Sequence, residues 1–248
     1  MKERRRGLRW PITAAGVLGC ATAVVACTPH AAATTTADHP VHLVHEISGG
    51  DADLGQAELD VVSGASIVSV STTDLRGSLY RITTPKGAGV APVATMDGDV
   101  VEVSLAFTGR HGASSVAVVL NSRVSWRIRL DGGASEESVD MMGGRLTGLA
   151  FGAGSTHIEA ELPKPVGTIA VTMSGGAADF QLHLPGGVPA RVLFDGGAGS
   201  AVVDGVSKSG VAGGTVLATP GWPAARNRYE IDNTAGVSQL TLDRGPTP

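Results

Sequence analysis

Apolar and polar residues alternate in short runs along most of the chain, and the runs end at glycine-rich corners. In VSWRIRL, Val124, Trp126, Ile128 and Leu130 share one face while Arg127 and Arg129 share the other. HIEAELP sets Ile158, Ala160 and Leu162 against Glu159 and Glu161, and FQLHLP sets Phe180, Leu182 and Leu184 against Gln181 and His183. A period of two belongs to an extended strand with one face in a core and one in solvent. Earlier runs, VHLVHEI, QAELDVV, SIVSVST, SLYRITT, DVVEVSLA and SVAVVL, are separated by GG, GA, DGD and GRHG. This punctuation predicts an all-β fold.

From Val124 onward the strands form a repeat. Its corner glycines are Gly132, Gly152, Gly175 and Gly196, spaced by 20, 23 and 21 residues, and a weaker copy ends at Ala235-Gly236. Periods of this size predict a solenoid of two-strand coils that share one apolar interior. Glycine accepts positive φ and lets backbones approach closely, so these corner residues are structural. Aligning the ELP and HLP endings places Glu161 beside His183 and Glu159 beside Gln181 on adjacent coils. Such an exposed contact is worth about 0.2–1 kcal/mol and implies no catalytic dyad. Trp126 alternates in phase with Ile128 and Leu130 and is expected in the core. Between Gly205 and Pro223 the repeat loses its rhythm, and Trp222, in the turn-like TPGWP, is a candidate interface residue.

Composition agrees with this pattern. Thirty-five glycines, 4% aromatic residues and 42% hydrophobic residues favour strands and tight turns and argue against a disordered chain. The N-terminus differs from the rest. MKERRRGLRW is basic, PITAAGVLGCATAVVAC is apolar and built of small residues, and together they predict a secretory signal over residues 1–27. Both cysteines lie in it; V24-V25-A26-C27 resembles the lipobox of bacterial lipoproteins, which makes Cys27 the expected lipidation site and Cys20 the alternative. Residues 28–44, opening with TPHAAATTTADHP, predict a flexible linker. Residues 45–120 form an N-terminal β segment of the body, and residues 121–245 carry the repeats.

Without residues 1–27 the chain holds 14 Lys+Arg against 22 Asp+Glu, a net charge of −8. A surface of that sign repels phosphate backbones and anionic lipid, so nucleic acid is not an expected partner and membrane contact should run through the lipid anchor. His39, His42 and His45 could bind a metal, but three-residue spacing along a strand sends successive side chains to opposite faces. Asp51 and Asp53 lack the further oxygens a calcium site needs, so an Asp-rich turn is expected. DGGAGS and FGAGST match the corner repeat rather than a phosphate loop, which argues against nucleotide. Asp140, Glu159 and Asp179 are scattered carboxylates with no nucleophile–base motif beside them. No enzyme activity, metal or cofactor is expected.

VSWRIRLDGGA, LTGLAFGAGSTHIEAELP, TIAVTMSGGAADFQLHLP, GVPARVLFDGGAG and NRYEIDNTAGVSQLTLD, arriving in this order, resemble the toast-rack domains of bacterial envelope proteins. These are adhesin-like modules, similar to the C-terminal domain of LiaF-like cell-envelope stress proteins. The resemblance implies a right-handed β-helix without catalytic residues, acting in interaction, sensing or adhesion outside the cytoplasmic membrane. The partner it implies is an envelope protein or a cell-wall polymer. Alternatives from the residues themselves are a polysaccharide-binding or polysaccharide-cleaving β-helix and a passive spacer.

Overall fold

The computed structural model describes residues 44–245 except Ala52. Cys20, Cys27, His39 and His42 lie outside these residues, as do Pro246 and Pro248. The strands in chain order are β1 (Glu46–Gly49), β2 (Gln56–Val61), β3 (Ala65–Thr73), β4 (Tyr80–Thr83), β5 (Val90–Asp97), β6 (Val100–Phe107) and β7 (Ser115–Asn121). They continue as β8 (Ser125–Leu130), β9 (Ala134–Asp140), β10 (Arg145–Phe151), β11 (Ser155–Glu161), β12 (Thr168–Met173) and β13 (Ala177–Leu184). The last are β14 (Ala190–Phe194), β15 (Ala198–Val203), β16 (Val206–Val211), β17 (Thr215–Ala218), β18 (Arg228–Asn233) and β19 (Val237–Arg244). A single 3-10 turn, Trp222–Ala224, is the other regular element among the described residues.

The strands form two sheets, ordered β1-β4-β7-β3-β9-β11-β13-β19-β15-β16 (sheet A) and β17-β14-β18-β12-β10-β8-β2-β6-β5 (sheet B). Apart from β1 and the antiparallel strands β4, β5, β16 and β17, the chain alternates between them, so each coil is one sheet-B strand followed by one sheet-A strand, stacked in parallel on the next. This is the β-helix, or toast-rack, solenoid that the repeat predicts. β2 pairs with β8, and β3 with β9, so the earlier β segment continues the same two sheets.

Alternation fills the interior. Trp126, Ile128 and Leu130 are fully buried, as are Ile158, Ala160, Phe180, Leu182 and Leu184. Phe151 of sheet B meets Phe180 of sheet A edge to face, with ring centroids 5.6 Å apart. The Trp126 indole donates to the Asn121 carbonyl at 3.0 Å, which satisfies its one polar atom. Glu137 breaks the pattern. It occupies an inward position between Val68 and Ile158 in register, is fully buried, and neither carboxylate oxygen has a hydrogen-bond partner among the described residues. Burial pushes its carboxyl up to about 7, and the nearby Ser155 side chain only partly opposes this.

The corner glycines act through space rather than through φ. A Cβ at Gly132 would stand 2.2 Å from the Ser63 carbonyl carbon, one at Gly175 1.9 Å from that of Ala153, and one at Gly196 2.2 Å from that of Ala235. The residue that follows each of them, Gly133, Gly176 and Gly197, takes the positive φ of 68°, 80° and 75°. The corner therefore divides two tasks that the sequence expectation gave to one residue. At Gly152 the obstacle is the Asp131 carboxylate, 2.0 Å from the added Cβ.

Stacking order departs from chain order at both ends. The coil β2–β3 lies inside β6–β7, and the last coil, β18–β19, inserts between β12–β13 and β14–β15. The outermost coils carry antiparallel strands: β5 on β6 and β4 on β7 at one end, β17 on β14 and β16 on β15 at the other. The Gly205–Pro223 stretch loses its rhythm because it builds this second cap. Its hairpin turns at Asp204 and Gly205, with φ of 49° and 78°, the pairing a type I′ turn requires. β5, whose Pro92 obscures any strand pattern, is a strand that the sequence reading does not find.

Gly175→Ala is expected to lower stability by about 3 kcal/mol in denaturant titration, because its clash is with the backbone of the neighbouring coil at Ala153 and Gly154. Gly55→Ala, with nothing within 4 Å of the added Cβ, should stay within about 0.5 kcal/mol. For Glu137, the unfolded carboxyl releases its proton near 4.5 and the folded one near 7. Between those values the folded state holds more protons, so its stability falls as pH rises, by about 3 kcal/mol once above 7. Denaturant titrations across this window should show that fall, and Glu137→Val should remove it; equal pH slopes in both proteins would refute the assignment.

Candidate functional site

The outward residues of the two sheets differ in kind. On sheet A, Glu136 and Asp140 of β9, Glu159 and Glu161 of β11, Asp179 of β13 and Asp243 of β19 stand on neighbouring strands. Strands are about 4.8 Å apart and alternate residues about 6.8 Å apart along each, so these carboxylates form a dense two-dimensional array. Among the described residues none of the six lies within 4 Å of a lysine or arginine nitrogen; the basic side chains beside them are two histidines.

His183 bridges three coils. Its Nε2 lies 3.3 Å from Glu159 Oε1 and its Nδ1 2.5 Å from Asp243 Oδ1. Glu161 is its register partner and Glu159 that of Gln181, as the ELP/HLP alignment predicts, but the ring turns away to the diagonal carboxylate and to β19. His157 Nδ1 lies 3.0 Å from Asp179 Oδ2, and Gln181 donates to that same oxygen at 2.7 Å. Asp140 accepts from its own turn, at the Met142 amide. Asp140, Glu159 and Asp179 thus occupy separate strands and do not converge on one point.

On sheet B the charges are opposed. Arg129 holds Asp131 at 2.6 Å and faces Asp60 at 4.0 Å, and Arg191 pairs with Glu230 and faces Asp232 at 4.0 Å. Asp60 is raised from the usual carboxylate range, first by burial and then by the neighbouring charge of Asp131, with Arg129 opposing. Asp232 is raised for the same reasons, burial first and then Glu230, against Arg191. Between these clusters the middle outward positions of β10 and β12 are small, Gly148, Ala150, Ala170 and Thr172, while Arg145, Thr147 and Thr168 are exposed at the strand starts.

The sites weighed from sequence resolve as follows. His45 Nδ1 lies 2.8 Å from the Thr84 hydroxyl, and no group of three or more metal-binding side chains is present among the described residues. Asp51 accepts from the Asp53 amide at 2.9 Å, a local Asx turn. Trp222 is half-buried rather than displayed. Its indole donates to the Tyr229 carbonyl at 3.1 Å, and the guanidinium carbons of Arg191 and Arg228 lie 4.8 and 4.3 Å from its ring centroid. The ring holds the Gly205–Pro223 insertion against sheet B through cation–π contacts.

No protein-family profile matches the chain, and no curated protein matches it. Among solved structures, a candidate adhesin from Bacteroides fragilis aligns at 9% identity over 79% of this chain and 94% of its own, with a TM-score of 0.23. A candidate cell adhesion protein from Clostridium sporogenes aligns at 13% identity over 81% of this chain and 98% of its own, with a TM-score of 0.60. The likeness to the latter is one of fold, a two-sheet β-solenoid.

Proposed function

We propose that the chain is a non-catalytic interaction module of the bacterial envelope: exported through residues 1–27, lipidated at Cys27, and presenting the solenoid outside the cytoplasmic membrane on the 28–44 tether. Its contact surface is the outward face of sheet A, and its partner is a cationic segment of an envelope protein or cell-wall polymer. The observation that carries this is the imbalance between the faces. Glu58, Asp60, Glu230 and Asp232 of sheet B each have an arginine within 4 Å, whereas the carboxylates of β9, β11, β13 and β19 have none among the described residues. Like charges on adjacent strands are destabilising by about 0.2–1 kcal/mol each. A cationic partner relieves that repulsion and is steered by it. The shared fold with a candidate cell adhesion protein supports the adhesive reading.

The test is crosslinked capture from native membranes with the full chain, Cys27→Ala, and a Glu136→Gln/Asp140→Asn/Glu161→Gln triple variant. Cys27→Ala should leave the membrane fraction, and mass spectrometry should find a diacylglyceryl group at Cys27 in the native chain. The triple variant should stay anchored, keep or slightly raise its thermal midpoint, and capture the partner about tenfold less, with native capture weakening as salt rises. Equal capture by the triple variant would refute the sheet-A surface, and an unmodified Cys27 would refute the anchor.

A further inference from the structure

Sheet B carries a recess that the contact surface of sheet A does not explain. It holds about 230 Å³ and is lined by Gln56 and Glu58 of β2, Arg127 of β8, Thr147 of β10 and Asp99 of the β5–β6 turn, with Ala57 beneath. Two backbone irregularities open it. The register between β10 and β8 shifts between Leu146 and Gly148, so Thr147 has no partner residue on β8, and its hydroxyl donates to the Trp126 carbonyl at 3.0 Å. A bulge of this kind re-aims a side chain, and the hydroxyl oxygen keeps acceptor capacity once its proton is used. A Cβ at Gly148 would stand 3.1 Å from Arg127 Nη1, so the absent side chain gives the guanidinium its room.

Arg127 is loosely held compared with its neighbour two residues on. Arg129 grips Asp131 at 2.6 Å, whereas the nearest carboxylate to Arg127 is Glu58 at 3.9 Å, beyond hydrogen-bond distance. Among the described residues Arg127 donates no side-chain hydrogen bond. The recess therefore offers free guanidinium donors between two carboxylate acceptors, with an amide that does both. A vicinal diol is both donor and acceptor at each oxygen and satisfies such a set, the guanidinium donating to one pair of oxygens and a carboxylate accepting from the hydroxyls. One cation against two anions disfavours phosphate or uronate. The volume, below the range of drug-sized pockets, suits a single ring. Beside the recess, Gly148, Ala150, Ala170 and Thr172 leave a low path for the residues that follow in a chain of sugars.

The geometry points to a binding site for one neutral pyranose of a glycan at Gln56, Glu58, Asp99, Arg127 and Thr147. The site stands independently of the sheet-A surface and of the anchor at Cys27. Affinity for one ring should be weak, on the order of 1 mM, as befits a shallow open site.

The experiment is saturation-transfer NMR and titration on the full chain in detergent, with the methyl glycosides of glucose, galactose, mannose, N-acetylglucosamine and glucuronic acid as probes. At least one neutral glycoside should bind, and glucuronide should bind less. Arg127→Ala should weaken that binding at least tenfold, and Glu58→Gln should weaken it too. The exposed position of Arg127 leaves the thermal midpoint within a degree or two. Glu161→Gln, on the opposite sheet, should leave sugar binding unchanged while still testing the sheet-A surface. No transfer to any neutral glycoside, transfer insensitive to Arg127→Ala, or preferred binding of glucuronide would each overturn the site.

Discussion

Everything in this structure depends on how closely one coil can lie on the next. Parallel strands must approach to about 4.8 Å to form their ladder, and at a corner the backbones meet with no pleat to separate them. Gly132, Gly175 and Gly196 sit where a methyl group would fall about 2 Å from a carbonyl carbon of the neighbouring coil. If those corners could not close, the strands they join could not keep register, and the shared interior of Trp126, Phe151, Phe180 and Phe194 could not form. The solenoid is local in this sense: each coil depends on its neighbours, and the neighbours depend on the corners.

The same local logic leaves the two ends as the problem to be solved. A parallel stack ends in open strand edges that invite pairing with other chains. Here the chain lays antiparallel strands on both outermost coils. The terminal strands β1 and β17 are only four residues long, β5 contains Pro92, and β16 carries Lys208. Each blunts an edge in a known way. Tucking β18–β19 inside β14–β15 adds a further safeguard, since the final strand of the repeat is flanked on both sides and never forms an edge.

What was legible in the sequence follows from these constraints. Alternation in VSWRIRL, HIEAELP and FQLHLP fixes which side chains are inside, because period two has no other solution once one face is buried. Register between β11 and β13 was legible too, since both strands end in the same Leu-Pro step and aligning those steps gives the observed pairing. The neighbours of β13 on its other side were not legible. Asp243 meets His183 only because the last coil is inserted out of order, and nothing local to either strand encodes that insertion. Glu137 was hidden for a different reason. In SEESVD it alternates in phase with the inward Val139, but a glutamate's charge argues against the interior, so period two alone does not mark it as buried. The sheet-B recess depends on the bulge at Thr147, and RLTGLAF shows only a glycine where the bulge ends.

Folding accounts for the inward residues of this solenoid and leaves the outward ones free. The coils β10–β11 and β12–β13 make the point. Their sheet-B strands turn out Arg145, Thr147, Gly148, Ala150, Thr168, Ala170 and Thr172, with no carboxylate among them, while their sheet-A strands turn out His157, Glu159, Glu161, Asp179, Gln181 and His183. The backbone ladders are equivalent, so the ladder does not require the difference. Stability does not favour it either, because crowded carboxylates repel one another, and sheet B shows that arginines on the next strand relieve such repulsion within this fold. An acidic face retained at that cost on one side, and a low floor beside an unclamped Arg127 on the other, are the features on which the two proposed contact surfaces rest. The solenoid supplies the rigidity through its interior, and each sheet carries its own chemistry outward.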